Sequence, residues 1–206
     1  MKVLVTGGLG FIGSHTVVEL QNVGFDVIII DNLSNSTIEV LDGIERITNK
    51  RPLFENIDLR VKESVQDFFA KHNDINGVIH FAAYKAVGES VERPLMYFEN
   101  NLLSLINLLK CVQEFQIPHF VFSSSCTVYG NPDVVPVTEE TPPKPAESPY
   151  GYTKQMGEQI VSETVKNIST NAILLRYFNP AGAHPSGIMG ELPIGRPQNL
   201  VPAITQ

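Results

Sequence analysis

Short apolar runs rich in Val, Ile and Phe alternate with longer segments of helical periodicity along this chain of 206 residues. The apolar runs predict strands at 2–6, 27–31, 53–57, 78–82, 119–123 and 172–177. The intervening segments predict helices at 12–22, 38–49, 61–72, 94–115 and 149–167. Regular alternation of strand and helix is typical of a parallel sheet, because each connection must cross over one face of the sheet. The predicted fold class is therefore α/β, with a doubly wound parallel sheet.

A glycine-rich turn follows the first predicted strand, with Gly7, Gly10 and Gly13 at three-residue spacing. Gly7 permits a tight bend, Gly10 lets the backbone approach a pyrophosphate, and Gly13 lets the next helix pack closely on the sheet. Asp31 ends the second predicted strand, where its carboxylate can accept hydrogen bonds from ribose hydroxyls and repel a 2′-phosphate. The pattern predicts a Rossmann-type site for NAD rather than NADP. A turn or helix-cap role for Asp31 stays open as the alternative.

Tyr150 and Lys154 lie four residues apart behind a helix-start signal, Ser148 as N-cap and Pro149 in the first helical position. This spacing places both side chains on one helix face. An ammonium at roughly 4 Å would favour the tyrosine phenolate by about 4 kcal/mol at an effective dielectric of 20. The pair therefore predicts a tyrosine base activated by a lysine, and the alternative is an ordinary pair of amphipathic surface side chains.

The composition is that of an ordinary soluble chain, with 43% hydrophobic and 18% charged residues. A formal net charge of −7 without any basic run argues against nucleic acid or an anionic membrane surface as a partner. We find no apolar run long enough to span a membrane and no secretory leader, so we expect a cytoplasmic protein. Cys111 and Cys126 form no metal-ligand pattern, and we expect neither a disulfide nor a metal site.

Several segments of the chain match one family: the glycine turn, the runs 31–36, 58–59, 80–90 and 123–130, the Tyr150 and Lys154 pair, and the run 176–180. In these segments the chain resembles the extended short-chain dehydrogenase/reductase family, and within it the UDP-glucose 4-epimerases. The runs 85–90 and 177–187 are more characteristic of these epimerases than of the wider family.

The resemblance implies a set of cofactor-binding positions. Phe11 and Ile12 would contact the pyrophosphate of NAD. Lys85 would lie near the nicotinamide ribose, and Phe178 would close on the nicotinamide. The remaining positions surround the adenosine or line the cofactor, and they are Gly7, Gly10, Gly13, Asp31, Asn32, Asn35, Ser36, Asp58, Leu59, Phe81, Ala82, Ala83, Asn100, Tyr150 and Lys154.

The resemblance also implies a catalytic set of Ser125, Tyr150 and Lys154. The expected reaction interconverts UDP-galactose and UDP-glucose by transient oxidation at sugar C4 with tightly bound NAD. The positions implied for substrate contact are Ser125, Thr127, Asn179, Asn199 and Leu200. Ser125 and Thr127 are rival hydroxyls for the same hydrogen bond to the sugar. His80, at the end of a buried strand, is expected to be a core histidine rather than a base.

Three further expectations follow from the resemblance. Residues 1–178 would form the NAD-binding domain and 179–206 only the beginning of a smaller substrate domain, so that the chain is truncated at its C-terminus. The full-length form would be a homodimer. Two alternatives stay open: another NAD-dependent nucleotide-sugar enzyme, either a dehydratase or an epimerase of a different sugar, and a non-catalytic NAD-binding fragment.

Overall fold

A computed structural model describes residues 1–194 and 199–205, without the side chains at 200 and 205. Within these residues, six parallel strands form one sheet in the order β3-β2-β1-β4-β5-β6. The strands are β1 Lys2–Thr6, β2 Asp26–Asp31, β3 Leu53–Asn56, β4 Ile75–His80, β5 His119–Ser125 and β6 Asn171–Tyr177. The predicted doubly wound, Rossmann-type sheet is confirmed, with strand limits within a few residues of the predicted ones.

Helices connect the strands. They are α1 Phe11–Asn22, α2 Val40–Thr48, α3 Lys62–Lys71, α4 Val87–Glu92, α5 Pro94–Phe98, α6 Ser104–Glu114, α7 Pro149–Val165 and α8 Leu200–Thr205. The helix predicted at 94–115 is interrupted, since a π-helical turn at Glu99–Leu103 separates α5 from α6. The short helix α4 was not predicted. Among the described helices, none combines the length and the apolar character that a membrane span requires.

The core lies on both faces of the sheet because the central strands bury side chains in both directions. In β1, Val3 and Val5 belong to the cluster beneath α1 and α2, whereas Leu4 belongs to the cluster beneath α3 and α6. Since successive strand residues point to opposite faces, a strand buried on both sides is a continuous apolar run. This is why the strand segments were recognisable in the sequence.

The direction of winding reverses between β1 and β4, which are adjacent in the sheet although 68 residues of chain lie between Thr6 and Ile75. Crossover connections leave this point on opposite sides, so that a crevice opens at the carboxyl ends of the two strands. The loops that follow β1 and β4 meet there, and the amide of Phe81 donates to the carbonyl of Thr6 at 3.0 Å. Ligands of such sheets bind at this crevice.

His80 ends β4 and is buried, as expected for a core histidine. Its Nδ1 lies 2.7 Å from the hydroxyl of Thr6, and its ring stacks on Phe122. Burial lowers the pKa of His80 to about 3, and the charge of Lys154 acts in the same direction. The imidazole is therefore neutral at physiological pH, which suits a hydrogen-bonded core residue and not a general base.

This buried imidazole should make stability depend on pH. The unfolded chain binds a proton at His80 below about pH 6.5, whereas the folded chain binds one only near pH 3. The free energy of unfolding should thus fall by about 2–3 kcal/mol between pH 6.5 and pH 4.5 through this residue alone. His80→Gln cannot titrate, so its loss over that interval, measured by urea unfolding, should be smaller than that of the unmodified chain by this amount. Equal losses would contradict a neutral, buried His80.

Candidate active site

A cleft of about 1390 Å³ opens at the carboxyl ends of β1 and β4. It brings together nearly every residue predicted for cofactor, catalysis or substrate. Lining the cleft are Gly7, Gly10, Phe11, Ile12, Gly13, Asp31, Asn32, Asn35, Ser36, Asp58, Leu59, Phe81, Ala82, Ala83, Lys85, Asn100, Ser125, Thr127, Tyr150, Lys154, Phe178, Asn179 and Asn199. Leu200 begins α8, and its side chain lies outside the described part of the structure. The individual roles of these residues stay predictions.

The glycine turn after β1 leaves no room for side chains. Gly7 has φ +66°, and a Cβ on it would lie 2.7 Å from the amide nitrogen of Ala82. A Cβ on Gly13 would lie 2.2 Å from the carbonyl oxygen of Gly7. Helix α1 starts from Gly10 without a side-chain cap, so that its first amides face the cleft unblocked. Open amides at a helix N-terminus fit the pyrophosphate of a dinucleotide.

Asp31 ends β2 with its carboxylate at the cleft. One oxygen accepts a hydrogen bond from the amide of Leu9 at 3.1 Å. The other accepts from the amide of Leu33 at 3.0 Å and from the hydroxyl of Ser36 at 2.8 Å. The carboxylate therefore organises the surrounding loops, as in the turn alternative, and also presents the acceptor that an adenosine ribose requires. The two interpretations of Asp31 are compatible.

The start of α7 is as the sequence predicts. The hydroxyl of Ser148 accepts a hydrogen bond from the amide of Gly151 at 3.1 Å, and Pro149 occupies the first turn. Tyr150 and Lys154 follow one turn apart, and both line the cleft. The pair is not a surface pair, because only 5% of Lys154 is exposed.

The ammonium of Lys154 is held inside the protein. Its Nζ donates to the carbonyl oxygen of Ser123 at 2.6 Å and lies 5.1 Å from the ring centroid of Phe122. Burial lowers the pKa of Lys154 to about 8, and the negative charge of Glu158 opposes this shift. Lys154 is therefore still mostly protonated at neutral pH, although its pKa lies close to that pH.

The structure does not show the expected activation of Tyr150 by Lys154. Burial raises the pKa of Tyr150, and a hydrogen bond with Ser125 only partly counters it. The Nζ of Lys154 is directed to Ser123 and lies 5.8 Å from the centre of the Tyr150 ring. The prediction that an ammonium close to Tyr150 would favour the phenolate is therefore wrong for the observed geometry, because desolvation outweighs a charge that is directed to Ser123.

Ser125 and Thr127 lie at the end of β5, where a 3₁₀ turn at Cys126–Tyr129 begins. The hydroxyl oxygen of Ser125 accepts from the amide of Thr127 at 3.2 Å. The hydroxyl of Thr127 is buried and has no hydrogen-bond partner among the described residues. A buried hydroxyl without a partner is costly, and its place in the cleft lining makes it a candidate for a bound ligand.

Two polar residues that fix other residues of the site in place were not predicted from the sequence, Asn101 behind the cleft lining and Glu191 in it. Asn101, in the π-helical turn, accepts from the amide of Tyr84 at 2.8 Å and donates to the carbonyl of Tyr84 and the hydroxyl of Thr153. Glu191 pairs with Lys85 at 3.5 Å and accepts a hydrogen bond from Asn199. Asn101 could have been recognised because Asn100 and Asn101 form an adjacent polar pair inside an otherwise apolar predicted helix. No pattern of neighbouring residues indicated a role for Glu191.

Comparison with known proteins agrees with this geometry. The profile of the NAD dependent epimerase/dehydratase family matches residues 3–195. The chain belongs to this family. UDP-glucose 4-epimerase uge1 of Schizosaccharomyces pombe is 51% identical over 99% of the chain, and UDP-glucose 4-epimerase of Bacillus subtilis is 50% identical over all of it. The chain covers 58% and 60% of the lengths of these two proteins.

Solved structures of UDP-glucose 4-epimerases also resemble the chain. The UDP-glucose 4-epimerase of Bifidobacterium longum, in complex with NAD+ and UDP, has a TM-score of 0.96 at 48% identity. The enzyme of Stenotrophomonas maltophila, with bound NAD and formylated UDP-arabinopyranose, has a TM-score of 0.95 at 46% identity. These alignments cover 99% and 100% of the chain but only 61% of each solved structure. The chain thus spans about three fifths of its relatives.

The close packing of the glycine turn can be tested by adding a methyl group to one of its glycines. In Gly13→Ala the new Cβ would overlap the carbonyl of Gly7, so the turn must shift. We expect NAD affinity, measured by calorimetry, to fall at least about tenfold and the free energy of unfolding to fall by about 1–3 kcal/mol. Gly43→Ala is the matched control, because its Cβ would meet nothing nearer than Ile188 at 3.6 Å. Equal NAD affinity in Gly13→Ala and Gly43→Ala would contradict the interpretation of the glycine turn as the pyrophosphate site.

The buried ammonium should reduce stability. The pKa of Lys154 falls from 10.5 to about 8 on folding, so the cost is fully present below pH 8 and disappears near pH 10.5. Such a shift corresponds to about 3 kcal/mol, from which about 1 kcal/mol is subtracted for the lost hydrogen bond to Ser123. Lys154→Met should therefore raise the free energy of unfolding of the cofactor-free chain by about 1–2 kcal/mol at pH 7, as measured by urea unfolding. A less stable variant would contradict this account.

Proposed function

We propose that this chain is the NAD-binding part of a UDP-glucose 4-epimerase. It would interconvert UDP-galactose and UDP-glucose, as part of galactose and nucleotide-sugar metabolism. The observation that carries the proposal is the meeting, in one cleft, of the glycine turn at α1 with Ser125, Tyr150 and Lys154. The names of the similar proteins support the choice of substrate.

The residues of the chain would divide the reaction between them. NAD, when bound, would supply a reversible hydride acceptor for sugar C4, and the glycine turn and Lys154 would hold it. Tyr150 would remove the proton from the 4-hydroxyl and later return it. Ser125, which already interacts with the phenol, would bridge the tyrosine and the sugar oxygen. Lys154 would hold the nicotinamide ribose and contribute positive charge.

The raised pKa of Tyr150 bears on when the base becomes active. The phenol of Tyr150 is protonated at neutral pH, since burial raises a pKa that is already well above 7. A bound oxidised nicotinamide would add a positive charge beside it, which lowers the pKa of a phenol. Proton abstraction would therefore be confined to the complex with NAD. This would prevent the buried tyrosine from ionising without its cofactor.

The substrate end of the cleft is formed from the chain after β6. Phe178, Asn179 and Asn199 line it, and Asn199 is held by Glu191. We propose that Asn179 and Asn199 contact the UDP part of the substrate, that Phe178 closes on the nicotinamide, and that the unpartnered hydroxyl of Thr127 is available to the sugar. Firm binding of UDP is required because the oxidised sugar must turn over without leaving the protein.

A dehydratase is the nearest alternative within the family. That chemistry needs an acid and a base beside the catalytic hydroxyl. The two neighbours of Thr127 are Cys126, a free thiol, and Val128, a fully buried apolar side chain. Neither can supply a carboxylate, so this alternative has no residue to carry it.

We also propose a homodimer and a cytoplasmic location. Apolar side chains are exposed on the neighbouring helices α4, α5 and α7, and 80% of Leu95 is accessible. The others on this surface are Val87, Val91, Tyr152 and Met156. Such a patch marks an interaction surface more often than it marks free surface. Cytoplasmic location is supported by the soluble composition of the chain and the absence of a disulfide in its described part.

The reaction can be tested directly on the 206-residue chain. We expect that NAD binds and that UDP-galactose is converted to UDP-glucose, which NMR of the anomeric signals detects. Tyr150→Phe should reduce conversion by at least about a hundredfold, as loss of a general base does, while NAD still binds. Near-normal conversion by Tyr150→Phe, or failure of the unmodified chain to bind NAD, would contradict the proposal. Binding of NAD without conversion by the unmodified chain would support the non-catalytic fragment instead.

A further inference from the structure

Helix α7 carries three titratable side chains on one face. Tyr150, Lys154 and Glu158 are spaced four residues apart and thus form a stripe along the helix. The first two line the cleft, whereas Glu158 lies one turn deeper and only 9% of it is exposed. A carboxylate buried to this degree is rare unless it has a specific partner.

The partners of Glu158 come from the two strands beneath α7. One carboxylate oxygen accepts hydrogen bonds from the hydroxyl of Ser124 at 2.5 Å and from Nε of Arg176 at 2.9 Å. The other oxygen accepts from Nη2 of Arg176 at 2.8 Å. The guanidinium in turn lies over the ring of Tyr129 at 4.8 Å. Three donors therefore hold the carboxylate in one orientation.

These contacts lie directly behind the reacting groups. Ser124 is between Ser123, whose carbonyl oxygen holds the ammonium of Lys154, and Ser125, the predicted catalytic hydroxyl. In the sheet, Ser124 is the register partner of Arg176. The carboxylate of Glu158 thus ties α7 to Ser124, which lies between the residue that holds Lys154 and the predicted catalytic serine.

The charges around Lys154 make the carboxylate electrostatically important. On α7 the lysine faces Tyr150, which is protonated, and Glu158, whose carboxylate accepts hydrogen bonds from Ser124 and Arg176. From β4 it faces His80, which is neutral at physiological pH. Arg176 on β6 lies on the far side of Glu158 and is bound to it. Among these groups Glu158 is the anion that favours a protonated Lys154.

We propose that Glu158 is a positioning residue that keeps Lys154 charged and holds the Ser123–Ser125 end of β5 against the catalytic helix. It touches neither substrate nor cofactor, since its side chain is directed to Ser124 and Arg176. The proposed effect of Glu158 on catalysis rests on the function proposed above. Its effect on Lys154 can be measured without turnover.

The test is an NMR titration of lysine side chains labelled with ¹³C at Cε. The signal of Lys154 is assigned by its loss in Lys154→Arg. Glu158→Gln keeps the size of the side chain and removes the charge. We expect the midpoint of the Lys154 titration to fall by about one pH unit in this variant, as expected for loss of a neighbouring charge in a partly buried site. An unchanged midpoint in a folded variant would overturn the proposal.

Two further variants separate charge from structure. Glu163→Gln is the matched control, because Glu163 lies on the same helix in an exposed pair with Lys166, and it should leave the midpoint unchanged. Glu158→Gln with Arg176→Gln avoids leaving a buried guanidinium without its partner, in case the single variant does not fold. In the double variant the midpoint of the Lys154 titration should still be lower than in the unmodified chain. The decrease should be smaller than in Glu158→Gln because the cation of Arg176 is also removed. Recovery of the original midpoint in the double variant would mean that Glu158 serves only to neutralise Arg176, which also overturns the proposal.

A second measurement separates this inference from the proposed function. If the chain converts UDP-galactose, the alkaline limb of its rate against pH should move to lower pH in Glu158→Gln by the same amount as the Lys154 midpoint, and not in Glu163→Gln. A shifted midpoint with an unshifted rate profile would overturn the catalytic part of the proposal. Absence of conversion by the unmodified chain would contradict the proposed function alone, since the NMR titration is independent of it.

Discussion

The pairing of β1 with β4 at the centre of the sheet determines where the rest of the site lies. Because crossover connections are right-handed, the two halves of the chain wind away from this pair on opposite sides. The loops after the two strands are left facing each other, and they approach so closely that Gly7 has no room for a Cβ beside Ala82. A dinucleotide cleft follows from this topology before any specific side chain contributes.

Within the cleft, the site contains a group that the fold does not accommodate favourably. Lys154 places an ammonium in an almost fully buried position, with the carbonyl of Ser123 as its hydrogen-bond acceptor. The same burial raises the pKa of the neighbouring Tyr150. Both groups are therefore shifted toward their neutral forms, which is the direction that desolvation imposes on any ionisable pair. For Lys154 the nearby carboxylate of Glu158 opposes this shift.

The helix predicted at 94–115 shows where the local sequence pattern and the tertiary structure disagree. Its helical periodicity predicted one continuous helix, and α5 and α6 occupy most of that range. The π-helical turn between them adds a residue to one turn and places Asn100 and Asn101 in the buried interior. There Asn101 joins Tyr84, which follows β4, to Thr153 on α7. Such single π turns are frequent at functional sites because they redirect a side chain without ending the helix.

The sequence by itself determined the elements and the motifs. Strand and helix segments were readable because each is a periodic pattern of neighbouring residues, and the start of α7 was readable because Ser148 and Pro149 act within one turn. The glycine turn was readable for the same reason. Only the tertiary structure decided that Glu158 meets Ser124 and Arg176, that Glu191 meets Lys85, and that burial raises the pKa of Tyr150. These depend on which distant segments come together and on how much water they exclude, and neither quantity is encoded in local spacing.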